Sequence, residues 1–294
     1  MISKNSQKNF ILINVFLCMV GIIQYFATNY IALNYIFYKE NLEEKEEECL
    51  NMNQYVDFYS TVKFIIGIFF VFVVRNFILA LMLKFNLRNK KFIGNTERNL
   101  SYDKFIKLIG FFISSTFIES ITYSFALSHY NFSEFNLIWD IITFIPISFG
   151  YEIIFDFFHY ITHKFLHSNK FAYVHIHKTH HAITHPQIET TWYHNPLDLL
   201  FTNSLPHILT LYFIPPISLF MLNLILIYKI FIEICGHSGK ICNSSSFPQC
   251  IWIPKFLQIE LITEEHDLHH TLNNCNYSKR FKLWDKIFQT YRKC

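Results

Sequence analysis

Histidine is the residue whose type and spacing in this chain most directly predict chemistry. All but one of the 15 histidines lie between His159 and His270. They include one HxxxH pair and two HxxHH sets, and residues three or four apart share one face of a helix. We therefore expect each set to direct its imidazoles at one point. These eight candidate metal ligands are His159, His163, His177, His180, His181, His266, His269 and His270.

Eight imidazoles are more than one metal ion needs, since a tetrahedral zinc site takes four ligands. The sequence therefore predicts two metals in one cluster, and imidazole alone does not choose among Zn, Fe, Cu and Ni. His237 is a ninth candidate ligand, and His194 is a weaker one. Ligation by histidine alone leaves much positive charge, so nearby carboxylates should accept hydrogen bonds from the imidazoles. The candidates for this role are Asp156, Glu264, Glu265 and Asp267, with Glu233 and His194 ranked after them.

The sequence predicts no catalytic residue apart from the metal ligands. No residue is expected to act as a nucleophile or as an acid or base catalyst. His129, His167, His175 and His185 are interpreted as histidines outside the site. A di-zinc site with a purely structural role is the main alternative for the cluster itself.

The elements that must position these histidines are predicted to be membrane helices. The 294 residues are 52% hydrophobic and 16% charged, and several windows exceed the roughly 20 apolar residues that cross a bilayer. Four apolar segments come first, at about 10–38, 59–85, 105–127 and 135–158. A fifth region, 197–235, carries a double proline near its middle and predicts a helical hairpin. Charged residues inside the spans, such as Arg75 and Glu119, indicate a polar seam between helices.

The charge of the loops predicts the orientation. The loop 39–48 is acidic, whereas 84–107 carries seven basic residues, Lys84, Arg88, Lys90, Lys91, Arg98, Lys104 and Lys107. The positive-inside rule places this basic loop in the cytosol. Counting spans from there puts every histidine set on the cytosolic side. The net charge of +3 comes from no dense basic patch, which argues against a nucleic-acid partner.

The histidine sets and their surroundings resemble the sterol desaturase / fatty acid hydroxylase superfamily of membrane di-metal oxygenases. The resemblance covers about 156–291 and rests on DFFHYITHKFLH, HKTHHAITHP, YHNPLD, GHSG and the tail HDLHHTLNNCNYSKRFKLWDKIFQTY. Lys164 stands where the family usually has Arg, and Gln289 where it usually has Gly. The tail looks more similar to the cholesterol 25-hydroxylase and sterol oxidase branch than to the fatty acid 2-hydroxylases.

This resemblance implies an oxidoreductase of lipid metabolism that uses two Fe ions and O2 to hydroxylate or desaturate a C–H bond. Zn could substitute for Fe in purified protein. The substrate would be a membrane lipid, with a sterol first and a fatty acyl chain or sphingolipid as the alternative. Electrons derived from NAD(P)H would arrive through a cytochrome b-type donor and its reductase, at the endoplasmic reticulum membrane.

The predicted architecture is thus an all-α integral membrane protein. About four N-terminal transmembrane helices and a hydrophobic hairpin carry a cytosolic, histidine-rich helical cap that holds two metals. Residues 1–134 form the membrane anchor, and 135–294 form the catalytic region. A more remote alternative is a non-catalytic metal-binding or metal-transporting membrane protein, although transporters usually place their ligands near the membrane midplane.

Overall fold

A computed structural model describes residues 4–43, 50–95, 100–241 and 246–294 of the chain. Within these residues the fold is helical, and the only β-type contacts are three isolated bridges. The all-α prediction is therefore confirmed. The α-helices are α1 (Lys4–Glu43), α2 (Leu50–Leu87), α3 (Tyr102–His129), α4 (Leu137–Ser168), α5 (Lys170–Ala172), α6 (Pro196–Leu199), α7 (Leu205–Phe213), α8 (Leu219–Gly236), α9 (Trp252–Phe256), α10 (Thr263–Leu272) and α11 (Leu283–Ile287).

Five helices are long and apolar enough to cross a membrane. They contain the segments Asn9–Phe37, Ser60–Leu87, Tyr102–His129, Leu137–Ser168 and Leu219–Gly236. The first four correspond to the four predicted N-terminal spans, and the fifth is the second arm of the predicted hairpin. The acidic loop lies partly outside the described residues, which resume at residue 50.

The hairpin has two helical arms joined at the double proline. The first arm runs from α6 through a π-helical turn, Leu200–Ser204, into α7, which ends at Phe213. Pro215 and Pro216 lie in the connection, because proline lacks the N–H that would continue the helix. Ser218 then caps α8 by accepting a hydrogen bond from Met221 N (3.0 Å).

Helix α8 lies at the centre of the molecule, since 83% of its apolar window is buried. It packs against α1, α2, α4 and α10. The contact with α1 is close at Gly21, where an added Cβ would lie 2.6 Å from Leu224 Cδ2. The predicted polar seam is also present, since Arg75 on α2 forms a 2.6 Å ion pair with Glu119 on α3.

Helix α4 connects the membrane part to the histidines. Its 32 residues correspond to about 48 Å of helix, which exceeds the roughly 30 Å hydrocarbon core of a bilayer. His159, His163 and His167 lie in its last three turns. One face of a single continuous helix therefore carries these imidazoles from the membrane part to the site.

Candidate metal centre

The histidines form two groups of converging ring nitrogens. In each group, one ligand atom per residue lies within 4.8 Å of every other. Group one contains five residues, His163, His167, His177, His181 and His269, and group two contains four, His180, His237, His266 and His270. Both groups combine residues far apart in sequence, so only the fold assembles them.

The closest approaches are between Nε2 atoms. In group one the Nε2 atom of His177 lies 3.0 Å from that of His163 and 2.9 Å from that of His181. In group two the Nε2 atoms of His237 and His266 are 3.2 Å apart. Two nitrogens that bind one metal at about 2.1 Å, at a right angle, are about 3.0 Å apart. The spacing therefore suits two ligands of a common ion.

The partners of the Nδ1 atoms show why these Nε2 atoms can bind a cation. His163 donates from Nδ1 to the carbonyl of Tyr277 (2.7 Å), and His269 donates to the carbonyl of Cys275 (2.7 Å). His177 Nδ1 lies 2.8 Å from Asp198 Oδ1. A neutral imidazole that donates from Nδ1 carries a lone pair on Nε2. The converging Nε2 atoms thus present lone pairs to each other, an arrangement that a metal cation stabilises.

Burial keeps the histidines outside the spans in the neutral form that metal binding needs. It lowers the pKa of His237 to about 4 and that of His269 to about 3. Burial, followed by the neighbouring imidazoles, lowers the pKa of His180, His266 and His270 well below the usual value. At neutral pH these side chains therefore offer lone pairs rather than protons.

Local structure divides each HxxHH set between the two groups, unlike the prediction that each set converges on one point. His177 ends a π-helical turn and His180 begins a 3-10 turn, so His180 faces group two while His181 faces group one. In α10, His266 and His270 are one full turn apart and share group two. His269, which is about 100° further round the helix from its neighbour His270, joins group one.

His159 and His167 exchange the places that the sequence suggested for them. His159 donates from Nδ1 to the carbonyl of Thr202 (2.6 Å) and belongs to neither group. It lines a chamber between the two groups, whose other lining residues include His177, His180 and Glu233. His167, interpreted from sequence as a bystander, lies in group one, and its Nε2 is 3.1 Å from that of His181. The signal was available, because His167 continues the i, i+4 series of His159 and His163.

Asp156 does not support an imidazole, contrary to the sequence prediction. Its carboxylate accepts hydrogen bonds from the backbone N–H groups of Lys279 (2.7 Å), Arg280 (2.9 Å) and Phe281 (2.9 Å). It lies one turn before His159 on α4, facing the C-terminal segment rather than the histidines. The role of Asp156 is therefore to attach that segment to α4.

The other predicted supporting residues have varied surroundings. Asp267 Oδ2 lies 2.9 Å from Nδ1 of His185, a residue that was interpreted as a bystander. Glu233 pairs with Lys279 (2.6 Å) and lies 3.8 Å from Nδ1 of His237. His194 lies beside the chamber, with its ring centroid 6.2 Å from that of His180, and is in neither group.

The carboxylate that does contact a group-one imidazole is Asp198, which sequence reasoning missed. It is 3% exposed and faces His177 Nδ1. Asp198 stands in YHNPLD, one of the stretches that carried the resemblance, but no spacing links it to the histidine it contacts. The π-helical and 3-10 turns bring the two together.

Comparisons with known proteins place the histidine region in a region of sequence similarity. Residues 149–290 match the sequence model of the fatty acid hydroxylase family. The chain is 30% identical over 147 residues to the fatty acid hydroxylase vlmA of a Lecanicillium species (48% of this chain, 40% of that protein). It is 28% identical over 148 residues to sphinganine C4-monooxygenase 1 of Arabidopsis thaliana (47% and 51%). It is also 28% identical over 139 residues to the C-4 methylsterol oxidase erg25 of Schizosaccharomyces pombe (46% and 43%).

The match covers about half of the length of these curated relatives. No solved structure matches the chain. The matched residues include every member of the two histidine groups.

Proposed function

Since residues 149–290 belong to the sterol desaturase / fatty acid hydroxylase superfamily, we propose that this protein is an O2-dependent oxidoreductase acting on a C–H bond of a membrane lipid. The single observation that carries the proposal is the pair of adjacent histidine groups, whose ring nitrogens converge in a buried chamber. Two iron ions held there would supply the one-electron and O2 chemistry that side chains lack. Zn would bind the same nitrogens in purified protein.

The chain itself contributes ligands, their orientation and the exclusion of water. Group one and group two are the proposed ligand sets. The carbonyls of Tyr277 and Cys275 and the carboxylate of Asp198 hold three imidazoles with Nε2 directed inward. All three act on group one, while the backbone carbonyl of Glu233 accepts from His237 Nδ1 (2.9 Å) in group two. Such supporting contacts fix the tautomer and the direction of the ligand atom.

The substrate that we propose first is a sterol, because methylsterol oxidases of three organisms are among the relatives. A sphingolipid or fatty acyl chain is the second candidate, supported by the similarity to sphinganine C4-monooxygenases and to a fatty acid hydroxylase. The names of these relatives are those of oxidases, hydroxylases and monooxygenases, which favours hydroxylation over desaturation.

We also propose that the histidine groups face the cytosol at the endoplasmic reticulum membrane. The basic loop is attached to the histidine region, since Ile93 N donates to Gly239 O (3.0 Å) and Ile241 N donates to Lys91 O (2.9 Å). This contact is just after His237, so the loop and the metal centre share one side of the membrane. Excess Lys and Arg mark the cytosolic side. A cytochrome b-type donor and its NAD(P)H-dependent reductase would supply electrons there, with residues 1–134 as anchor and 135–294 as catalytic region.

The test is metal analysis of detergent-purified protein together with lipid analysis of cells that express it. We expect about two iron ions per chain and a new hydroxylated lipid in the wild type, and in His269→Ala about one ion and no hydroxylated lipid, because His269 belongs to group one only. His129→Ala is the matched control, because His129 is exposed and stacks on Phe125 at the opposite end of α3. Unchanged lipids with reduced metal uptake in His269→Ala would instead favour a metal-binding protein. Oxidised sterols alone would exclude the acyl candidate, and hydroxylated acyl chains alone would exclude the sterol.

A further inference from the structure

A cavity in the membrane part adjoins the metal centre. It has about 670 Å³ of unfilled space, part of it open, and lies between α2, α3, the first hairpin arm and α8. His194, Leu199 and Glu233 line both this cavity and the chamber between the histidine groups. The cavity and the chamber between the histidine groups are therefore direct neighbours.

One wall of this cavity carries a buried cation without a carboxylate partner. Lys229 lies on α8, four residues before Glu233, and is 9% exposed. Its ammonium group contacts the amide oxygen of Asn203 and lies 4.7 Å from the centre of the Phe155 ring. Among the described residues, Lys229 forms no ion pair.

The nearby carboxylates are already engaged with other cations. Glu233 pairs with Lys279 (2.6 Å), Glu119 with Arg75 (2.6 Å), and Glu152 with Arg280 (2.8 Å). An ammonium group buried among apolar side chains is costly unless further hydrogen bonds satisfy its protons. The protein supplies Lys229 with one oxygen acceptor from Asn203, so a bound molecule can supply another.

A buried polar atom without a hydrogen-bond partner lines the same cavity from α7, in the first hairpin arm. His207 is 4% exposed and lines the cavity. Its Nδ1 is 2.5 Å from the hydroxyl oxygen of Tyr151, whereas its Nε2 is buried and has no hydrogen-bond partner. In either tautomer Nε2 keeps one hydrogen-bonding position for a ligand.

We propose that Lys229, Asn203 and His207 bind the oxygen substituent of the lipid substrate, a hydroxyl or a carboxylate. This inference rests on the proposed function, because it names the substrate class of the same site. Four residues of helix span about 6 Å, so Lys229 lies about one turn below the level of Glu233 and the chamber. The attacked carbon is therefore close to the polar end of the lipid rather than at the far end of its hydrocarbon.

Binding of matched lipid pairs to the full-length protein in detergent tests this proposal. One arm compares cholesterol with 5α-cholestane, and the other compares hexadecanoic acid with hexadecane, so the two arms separate a hydroxyl from a carboxylate. In at least one arm we expect the wild type to bind the oxygen-bearing probe about tenfold more tightly, or more. The variants are Lys229→Met and His207→Phe, and Lys107→Met is the control because Lys107 is exposed on α3.

In Lys229→Met the preference should fall below about threefold, while Lys107→Met keeps it. A variant that has not folded is recognised by its loss of iron. If Lys229→Met does not fold, the same loss of preference is measured in His207→Phe instead. Equal binding of both members of each pair by the wild type, or no binding of any probe, overturns the proposal. Full preference in every folded variant overturns it as well. Because binding is measured without turnover, loss of the preference is distinguishable from failure of the proposed oxidation, which product analysis reports separately.

Discussion

Asp198→Asn should weaken one metal site and leave the other nearly unchanged. Asp198 contacts His177 of group one at 2.8 Å, and no member of group two contacts it. The substitution keeps the shape of the side chain but removes the charge that orients the imidazole and raises its basicity. Loss of such a supporting contact typically lowers metal affinity about 10- to 100-fold, which corresponds to about 1.4–2.7 kcal/mol.

A chelator titration with metal analysis at each concentration measures this effect. The chelator concentrations at which the wild type loses its two ions serve as the reference. The variant should lose the first ion at about 10- to 100-fold lower free chelator, with a plateau near one ion per chain. Asp103→Asn is the control, because Asp103 is exposed in the first turn of α3. Loss of both ions together, or a curve that overlays that of the wild type, would show that Asp198 does not support a separate group-one site.

Three further predictions concern the ligand sets, the tail and pH. His167→Ala should reduce the metal content from about two ions to about one, whereas His159→Ala should retain both; equal losses, by metal analysis, would contradict the assignment of His167 to group one. Asp156→Ala removes the acceptor of three backbone N–H groups, two of them in buried hydrogen bonds, so it should lower the free energy of unfolding by at least about 2 kcal/mol and expose the C-terminal segment to limited proteolysis. Unchanged proteolysis would exclude this role. Burial lowers the folded-state pKa of His237 to about 4 and of His269 to about 3, below the unfolded value of about 6.5. As the pH is lowered, the unfolded chain therefore takes up protons before the folded chain does. The melting temperature of the metal-free protein should decrease as the pH is lowered from about 6.5 to 3–4, whereas these groups contribute no pH dependence above pH 6.5. A melting temperature that is constant between pH 6.5 and pH 3–4 would contradict the neutral burial of these histidines.

The membrane part was predictable from sequence because its signal is local. Apolar length alone identifies the long helices, and Pro215 with Pro216 marks the turn of the hairpin. Charges inside spans had to find partners, so Arg75 and Glu119 were good markers of the polar seam that the structure shows. Each of these features can be recognised within a stretch of about 20 residues, without knowing which parts of the chain contact each other in the fold.

The assembly of the metal groups was not predictable in the same way. Spacing showed which imidazoles share a helix face, but it assumed regular α-helix for residues 177–181, where the chain forms π-helical and 3-10 turns. These turns send His180 and His181 to different groups. The contact between Asp198 and His177 depends on the same turns, so no periodicity in the sequence could indicate it.

The C-terminal segment is the element that completes the centre, and this explains the position of Asp156. The carbonyls of Cys275 and Tyr277 orient His269 and His163 in group one, and Lys279 holds the carboxylate next to His237 in group two. The C-terminal segment must stay at a fixed distance from the histidines, because only then do these contacts direct the lone pairs of the imidazoles at an ion. Asp156 provides that fixed distance, because it binds the backbone N–H groups of Lys279 and the next two residues from the same helix that carries His163. The carboxylate predicted to support an imidazole directly thus supports both groups through the backbone of the segment that contacts them.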